Sequence, residues 1–204
     1  AEVLAVEPSP AMRAELTQTL EEASADNVRL LDGSWPLAEP LAAEVVISAH
    51  VVYGVREIGP FLLGIDAAAS RLCALYLGLR HPTWAMAPLW ERVHGEERLP
   101  LPAALETLAA CHQLGLPARL DLVPAAPAFR FADPDEAFEE ARARLRLTPE
   151  PARDALIRAA LAELLVTADD GMLAARRQQQ YAAVIWWRPE PSEQRAAVRA
   201  GGTR

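Results

Sequence analysis

The start of the chain is an apolar run that ends in an acidic residue and leads directly into a turn and a helix. Val3 to Val6 is uninterruptedly apolar, Glu7 follows it, and Ser9-Pro10 supplies a helix N-cap and a first helical position. Parallel α/β sheets bury such runs on both faces and bind ligands at the carboxyl ends of their strands. The opening therefore predicts an α/β fold in which Glu7 is placed to accept hydrogen bonds from a ribose.

A second acidic turn follows the next apolar run. Val28 to Leu31 reads as a strand, and Asp32-Gly33-Ser34-Trp35 comes directly after it. Asp32 could accept a hydrogen bond from the amino group of an adenine, and Trp35 or Met12 could cover the face of the ring. Two plainer interpretations stay open, because Glu7 could be a surface acid that favours a helix start and Asp32-Gly33 could be an ordinary turn.

The remaining pattern alternates between strands and helices, which is typical of a doubly wound, mostly parallel sheet. We expect helices at 11–23, 57–69, 102–114, 133–147 and 151–165, and further strands at 45–48, 71–78, 118–123 and 181–187. Residues 1–188 are interpreted as one domain, and the Pro-, Gly- and Arg-containing residues 189–204 as a flexible tail.

The composition excludes several kinds of chemistry. All 20 basic residues are Arg, so no lysine Schiff base or P-loop lysine is available. The formal charge of −8, without a concentrated basic patch, argues against nucleic acid as a partner. No metal-binding spacing of Cys or His occurs, and no apolar run is long enough for a membrane span. Without a recognisable export leader, we expect a cytoplasmic protein.

The order of these features resembles that of the class I S-adenosylmethionine-dependent methyltransferases. The resemblance rests on a strand ending at Glu7, a helix carrying Met12, a strand ending at Asp32 and a strand leading to Ala49-His50. It extends to a final antiparallel pair of strands near Leu122 and Val184. It implies a Rossmann-like fold with a helical insert, S-adenosylmethionine as cofactor and transfer of a methyl group.

The resemblance also implies a site for each part of the cofactor. Glu7 would bind the ribose and Asp32 the adenine amino group, and Ser48 and Ala49 would lie beside the methionine part. The residues expected to complete the nucleoside site are Pro8, Ser9, Met12, Gly33, Ser34 and Trp35.

One part of the family pattern is not found in this sequence. The family's first strand and its Gly-x-Gly-x-Gly turn have no counterpart, because Gly54, Gly59 and Gly64 are too widely spaced to form that turn. We therefore interpret residues 1–188 as an N-terminally incomplete methyltransferase domain. Two alternatives are a nicotinamide-dependent oxidoreductase, whose ribose Glu7 would suit equally well, and a non-catalytic methyltransferase-like binding protein.

Candidate residues for the methyl acceptor follow the third strand and the fourth. His50 and Tyr53 leave a strand end, where either could orient an acceptor or remove its proton. An aromatic-rich segment then supplies candidates for the wall of an acceptor pocket, and these are His81, Trp84, Trp90 and His94. Ordinary packing of a connecting segment would look the same. We expect residues 81–99 and a helical insert at 129–177 to enclose a small-molecule acceptor.

Overall fold

The computed structural model describes residues 1–125 and 129–190, so most of the expected tail, residues 191–204, lies outside the described residues. The strands are β1 Val3–Glu7, β2 Val28–Asp32, β3 Ala43–Ala49, β4 Ala69–Gly78, β5 Arg119–Pro124, β6 Arg130–Phe131, β7 Leu165–Thr167, β8 Leu173–Ala175 and β9 Tyr181–Trp187. The helices are α1 Pro10–Glu22, α2 Ile58–Ala68, α3 Ala87–His94, α4 Ala104–Gln113, α5 Pro134–Arg144 and α6 Pro151–Leu164. Short 3-10 helices occur at Val52–Gly54 and Pro82–Met86.

The strands form three sheets. β1 and β2 pair in parallel, β3, β4, β9 and β5 form a four-stranded sheet in that order, and β6, β8 and β7 form a three-stranded sheet. β5 and β9 run antiparallel, as the sequence predicts for the C-terminal strand pair. The chain thus has the Rossmann-like α/β architecture expected from the alternation of strands and helices.

The insert contains the two expected helices, α5 and α6, and also a small sheet that the sequence did not predict. β6 and β7 both pair antiparallel with β8, and they add a small sheet beside helices α5 and α6. Helix α6 ends at Leu164, one residue before its expected end, and β7 begins at Leu165.

The chain divides into two compact units, each with apolar contacts of its own. The first contains Ala1–Val46, Arg56–Cys73 and 188–190, and the second contains Ile47–Val55 and Ala74–Trp187. In the first unit the buried apolar residues lie on α2 and the start of β4, and no residue of β1, α1 or β2 is buried.

The second unit is the better packed of the two. Ile185 and Trp187 of β9 are 0% and 1% exposed. A separate cluster fills the insert, where Leu89 of α3, Phe138 of α5 and Ile157 of α6 are buried together. Among the described residues, no helix combines the length and apolar character needed to cross a membrane.

Candidate functional site

Two carboxylates end the adjacent strands of the first sheet. Glu7 and Asp32 are paired positions in the parallel register of β1 and β2. Because neighbouring strands lie about 4.8 Å apart, the two side chains leave the same edge of the sheet side by side. This is the edge at which open α/β sheets bind ligands.

Both carboxylates already have one partner in the chain. Glu7 Oε1 accepts the backbone N–H of Ser9 at 2.8 Å, which fixes the turn into α1. Asp32 Oδ1 is 2.7 Å from Arg13 Nη1, which also donates to the carbonyl of Glu7. The Asp32 side chain is 73% exposed, so its second oxygen is open to a ligand. The Arg13 contact was not foreseen from the sequence.

The two residues expected to cover the adenine ring, Trp35 and Met12, differ in how firmly their side chains are held. The Trp35 indole N–H donates to the carbonyl of Phe61 at 3.2 Å. A Cβ on Gly64 would come within 3.2 Å of that indole, so glycine is needed for α2 to approach it. Met12 is 51% exposed and free to move toward a ligand. One edge of Trp35 is therefore committed to α2, whereas Met12 is not.

In the second unit, the end of β3 carries a polar atom with no partner. The hydroxyl oxygen of Ser48 is buried, and it makes no hydrogen bond with any described residue. A buried hydroxyl without a partner is costly, and a ligand that bonds it would remove that cost. Ala49 follows it and is exposed.

His50 follows at the strand exit in a left-handed conformation, with φ of 57°. Its N–H donates to the Tyr76 carbonyl at 2.8 Å, and its ring meets the Tyr76 ring edge-on at 5.0 Å. Non-glycine residues adopt this conformation at a cost, and such positions concentrate at functional sites.

Tyr53 lies beside His50 and joins it to the end of β4. The Tyr53 hydroxyl accepts the N–H of Gly78 and lies 3.3 Å from Nδ1 of His50. A Cβ on Gly78 would be 3.2 Å from that hydroxyl and 2.6 Å from the Arg80 carbonyl, so only glycine permits this approach. Burial raises the pKa of Tyr53, with a smaller opposing effect of the Gly78 N–H, so the phenol stays protonated at neutral pH.

His81 extends this aromatic group. Its ring meets the Tyr53 ring edge-on, with 5.0 Å between centroids. His81 Nδ1 accepts the backbone N–H of Thr83 at 3.2 Å and lies 2.8 Å from the Thr83 hydroxyl. Burial, and then the charge of Arg98, lower the pKa of His81. The imidazole is therefore neutral at neutral pH, with its proton on Nε2.

A cleft begins one residue beyond His81. Its inner part has a volume of about 150 Å³ and is lined by apolar side chains of Met86, Leu89, Phe131 and Leu145, with Thr83 among the polar ones. It shares Phe131 with a wider cleft of about 760 Å³ that also includes Pro82. Residues from 81–99 and from the insert thus line one space, as the sequence predicts.

The other aromatic candidates are Trp84, Trp90 and His94. They alternate with lining residues in the sequence but line neither part of the cleft. Trp90 packs on His94, with ring centroids 4.0 Å apart, and carries the guanidinium of Arg98 at 4.7 Å. Trp84 carries the guanidinium groups of Arg80 and Arg177, at 5.0 and 3.8 Å. Arg98 does line the cleft, and sequence reasoning missed it because a single arginine among polar residues gives no signal.

No group of three His, Cys, Asp or Glu side chains within residues 1–125 and 129–190 is arranged to hold a metal ion. The candidate ligand-binding features are therefore the acidic pair of the first unit and, in the second, Ser48, the aromatic group and the cleft.

Comparison with known proteins finds similarity in structure alone. No family model and no curated protein matches the sequence. The YcgJ protein of Bacillus subtilis matches with a TM-score of 0.53 and 13% identity, over 93% of this chain and 83% of that one. A Bacillus halodurans protein, described provisionally as a methyltransferase, matches with a TM-score of 0.52 and 9% identity, over 94% and 84% of the two chains. At such identities the similarity is one of fold.

Proposed function

We propose that this chain, which has the Rossmann-like fold of the class I methyltransferases, transfers a methyl group from S-adenosylmethionine to a small-molecule acceptor. The observation that carries the proposal is the pairing of Glu7 with Asp32 at the end of two parallel strands. A fold alone does not define an activity, whereas two carboxylates at the ligand-binding edge match the hydroxyl and amino groups of a nucleoside.

The residues of the acidic pair fit the nucleoside part of that cofactor. Glu7 keeps Oε2 for the ribose hydroxyls after Oε1 has accepted the Ser9 N–H. Asp32 keeps Oδ2 for the adenine amino group after Oδ1 has paired with Arg13. Pro8, Met12, Gly33, Ser34 and Trp35 flank these two positions.

Ser48 fits the amino-acid part. Its buried hydroxyl has no partner among the described residues, and the ammonium or carboxylate of a bound methionine moiety would supply one. Ala49, being exposed and small, leaves room for the chain of that moiety. When bound, the cofactor supplies a methyl group on a positively charged sulfur, ready for attack by a nucleophile.

His50 and Tyr53 are the residues we assign to the acceptor's proton. A His50 ring that donates Nδ1–H to the Tyr53 oxygen leaves Nε2 free to take a proton. Tyr53 acts as a positioning residue, because its hydroxyl also accepts the Gly78 N–H and its raised pKa keeps it neutral. Most of the rate would come from alignment of acceptor and donor, which is work for binding residues.

The cleft between residues 81–99 and the insert is the site we assign to the acceptor. Its inner volume of about 150 Å³ suits a small molecule better than a polymer. His81 contacts the Tyr53 ring and precedes the lining residue Pro82, and we expect Trp84, Trp90 and His94 to support the lining residues.

The first sheet supports the expectation that the domain of residues 1–188 needs one more strand. Parallel sheets in α/β proteins are covered on both faces, and a pair of strands alone is marginally stable. β1 and β2 nevertheless contain no buried residue, and Val3 is 46% exposed. A strand beside β1 would pair with its other backbone edge.

Isothermal titration of S-adenosylmethionine into the chain and into Glu7→Gln tests the proposal. The wild-type chain should bind, and the variant should bind about 10- to 100-fold more weakly, because hydrogen bonds to a charged group are lost. Glu21→Gln is the matched control, since Glu21 is an exposed acid at the other end of α1.

Three outcomes of this titration would contradict the proposed methyl transfer. Binding of NAD in place of S-adenosylmethionine would favour the oxidoreductase. Equal weakening by the Glu7 and Glu21 substitutions would remove the acidic pair from the site. Absence of binding by either cofactor would show that this chain alone does not bind the methyl donor, as expected of a non-catalytic binding protein or of a site without the glycine-rich turn.

A further inference from the structure

We infer that the acceptor is an aromatic carboxylate, with its ring in the inner cleft and its carboxylate on Arg98. The identification of this ligand as the methyl acceptor rests on the proposed function. The binding site itself consists of residues of the second unit alone.

The inner cleft has the size and lining for one aromatic ring. Its volume is about 150 Å³, and its walls are the apolar side chains of Met86, Leu89, Phe131 and Leu145. An apolar cavity of about this volume holds one benzene molecule. The volume and the apolar part of the lining therefore suit a planar ring.

Arg98 is the charged lining group that the chain leaves without a counter-ion. Within the described part of the chain, no carboxylate lies within 4.0 Å of its guanidinium. The other arginine of the inner cleft, Arg144, is paired with Glu140 at 2.6 Å. Trp90 holds the Arg98 guanidinium through a stacking contact, which leaves its N–H edge for a ligand. A guanidinium edge matches a carboxylate in a bidentate geometry.

The polar groups beside Arg98 are bonded to each other, since the Thr83 hydroxyl and N–H both donate to Nδ1 of His81. His81 Nδ1 accepts the Thr83 N–H, so Nε2 carries the imidazole proton. Arg98 is close enough to His81 for its charge to lower the pKa of the imidazole, and both Arg98 and Thr83 line the cleft. A ligand group with several lone pairs, and no proton to give, therefore matches the Arg98 guanidinium.

Two further arginines lie near Thr83 in the structure, whereas the wider cleft is lined by both signs of charge, with Glu136, Glu139 and Glu140 beside Arg130 and Arg144. Arg80 and Arg177 stack on Trp84, next to Thr83 in the sequence, and among the described residues neither has a carboxylate partner. The one carboxylate that lines the inner cleft, Glu140, is neutralised by Arg144. Arg98 is therefore the lining charge of the inner cleft that is left for a ligand.

The test compares benzoate with benzamide, its neutral analogue of the same shape, by NMR titration of the chain without any methyl donor. Benzoate should bind more tightly than benzamide and shift the amide signals of Thr83 and Leu145. Arg98→Gln should weaken benzoate binding about tenfold or more, as expected for loss of a charged hydrogen-bonded pair. Binding of benzamide should be unchanged.

Arg119→Gln is the matched control, because Arg119 also stacks on an indole, that of Trp186, and lies on β5 outside the cleft. Arg98→Lys keeps the charge without the bidentate edge and should fall between the wild type and Arg98→Gln. Equal binding of benzoate and benzamide, absence of benzoate binding, or equal effects of the Arg98 and Arg119 substitutions would overturn the inference.

The two proposals fail separately. Loss of S-adenosylmethionine binding with an intact, Arg98-dependent benzoate site would contradict methyl transfer but leave the carboxylate site. Binding of S-adenosylmethionine with equal binding of benzoate and benzamide would contradict the carboxylate site but leave the proposed methyl transfer.

Discussion

His81 links the stability of the second unit to pH. Its imidazole caps the 3-10 helix Pro82–Met86 by accepting the Thr83 N–H, and burial and Arg98 lower its pKa below the ordinary 6.5. The unfolded chain therefore takes up this proton at a higher pH than the folded chain does. The contribution of His81 to stability is complete above about pH 6.5 and is lost as the pH falls through the lower, folded-state pKa.

We predict that His81→Asn flattens the fall in stability between pH 7 and pH 5, measured by urea unfolding at each pH. Asparagine can cap a helix through its side-chain oxygen and does not titrate in this range. Arg98→Gln removes only the smaller cause, so it should keep most of the wild-type slope. A slope unchanged by His81→Asn would contradict this.

Residue-level prediction from the sequence succeeded where position along a strand decides the contact. Glu7 and Asp32 end neighbouring strands, and the structure pairs them in register. The sequence could not predict which charges neutralise one another. Arg13 reaches Asp32 across 19 residues, while Arg98 has no carboxylate partner among the described residues. Such choices depend on side-chain positions in three dimensions, which periodicity does not encode. The cofactor and acceptor roles themselves stay predictions.

At the scale of elements, α6 is the helix on which the insert depends. It packs against α3 and α5, and Ile157 lies at the centre of their shared cluster with 0% exposure. Its neighbour Leu156 is 42% exposed. Adjacent helical positions face different directions, so this pair separates burial from side-chain chemistry.

We predict that Ile157→Ala lowers the free energy of unfolding by about 2–5 kcal/mol, because it leaves a cavity in a closed cluster. Leu156→Ala, the control of similar size, should cost less than about 1 kcal/mol. Urea unfolding monitored by circular dichroism measures both. Equal costs would mean that α6 does not bury Ile157 in solution.

Long or strongly apolar elements were predictable, and very short ones were not. β1 contains the apolar run 3–6, β4 the run 72–77 and β9 the run 181–187, and α1 has a clear N-cap at Ser9. The strands of the insert sheet have two or three residues each, too few for an alternating pattern. Their formation depends on pairing with each other, which is a tertiary effect.

At the scale of the whole molecule, the two units differ in how their sheets are protected. β9 has a hydrogen-bonded strand on each side and contains residues with no exposed area. β1 has one partner, β2, and no buried residue. Local stability follows burial and pairing, so these two strands should open at different free energies.

We predict that amide protons of β1 and β2 exchange with deuterium much faster than those of β9 under native conditions. The central position and burial of Ile185 should give its amide protection near that of global unfolding. Saturating S-adenosylmethionine should slow exchange in β1 and β2 by mass action. Equal protection of β1 and β9 in the free chain would show that the first sheet needs no further strand.

The left-handed backbone at His50 makes this position misleading for stability engineering. Glycine adopts a φ of 57° freely, so His50→Gly would relieve about 1 kcal/mol of strain in the folded chain. A programme that ranks substitutions by thermostability would favour this position early. It would thereby delete the ring that contacts Tyr53 and Tyr76 and that we assign to proton removal. The substitution would raise thermal stability and lower turnover. Only a screen that measures both properties would keep the histidine.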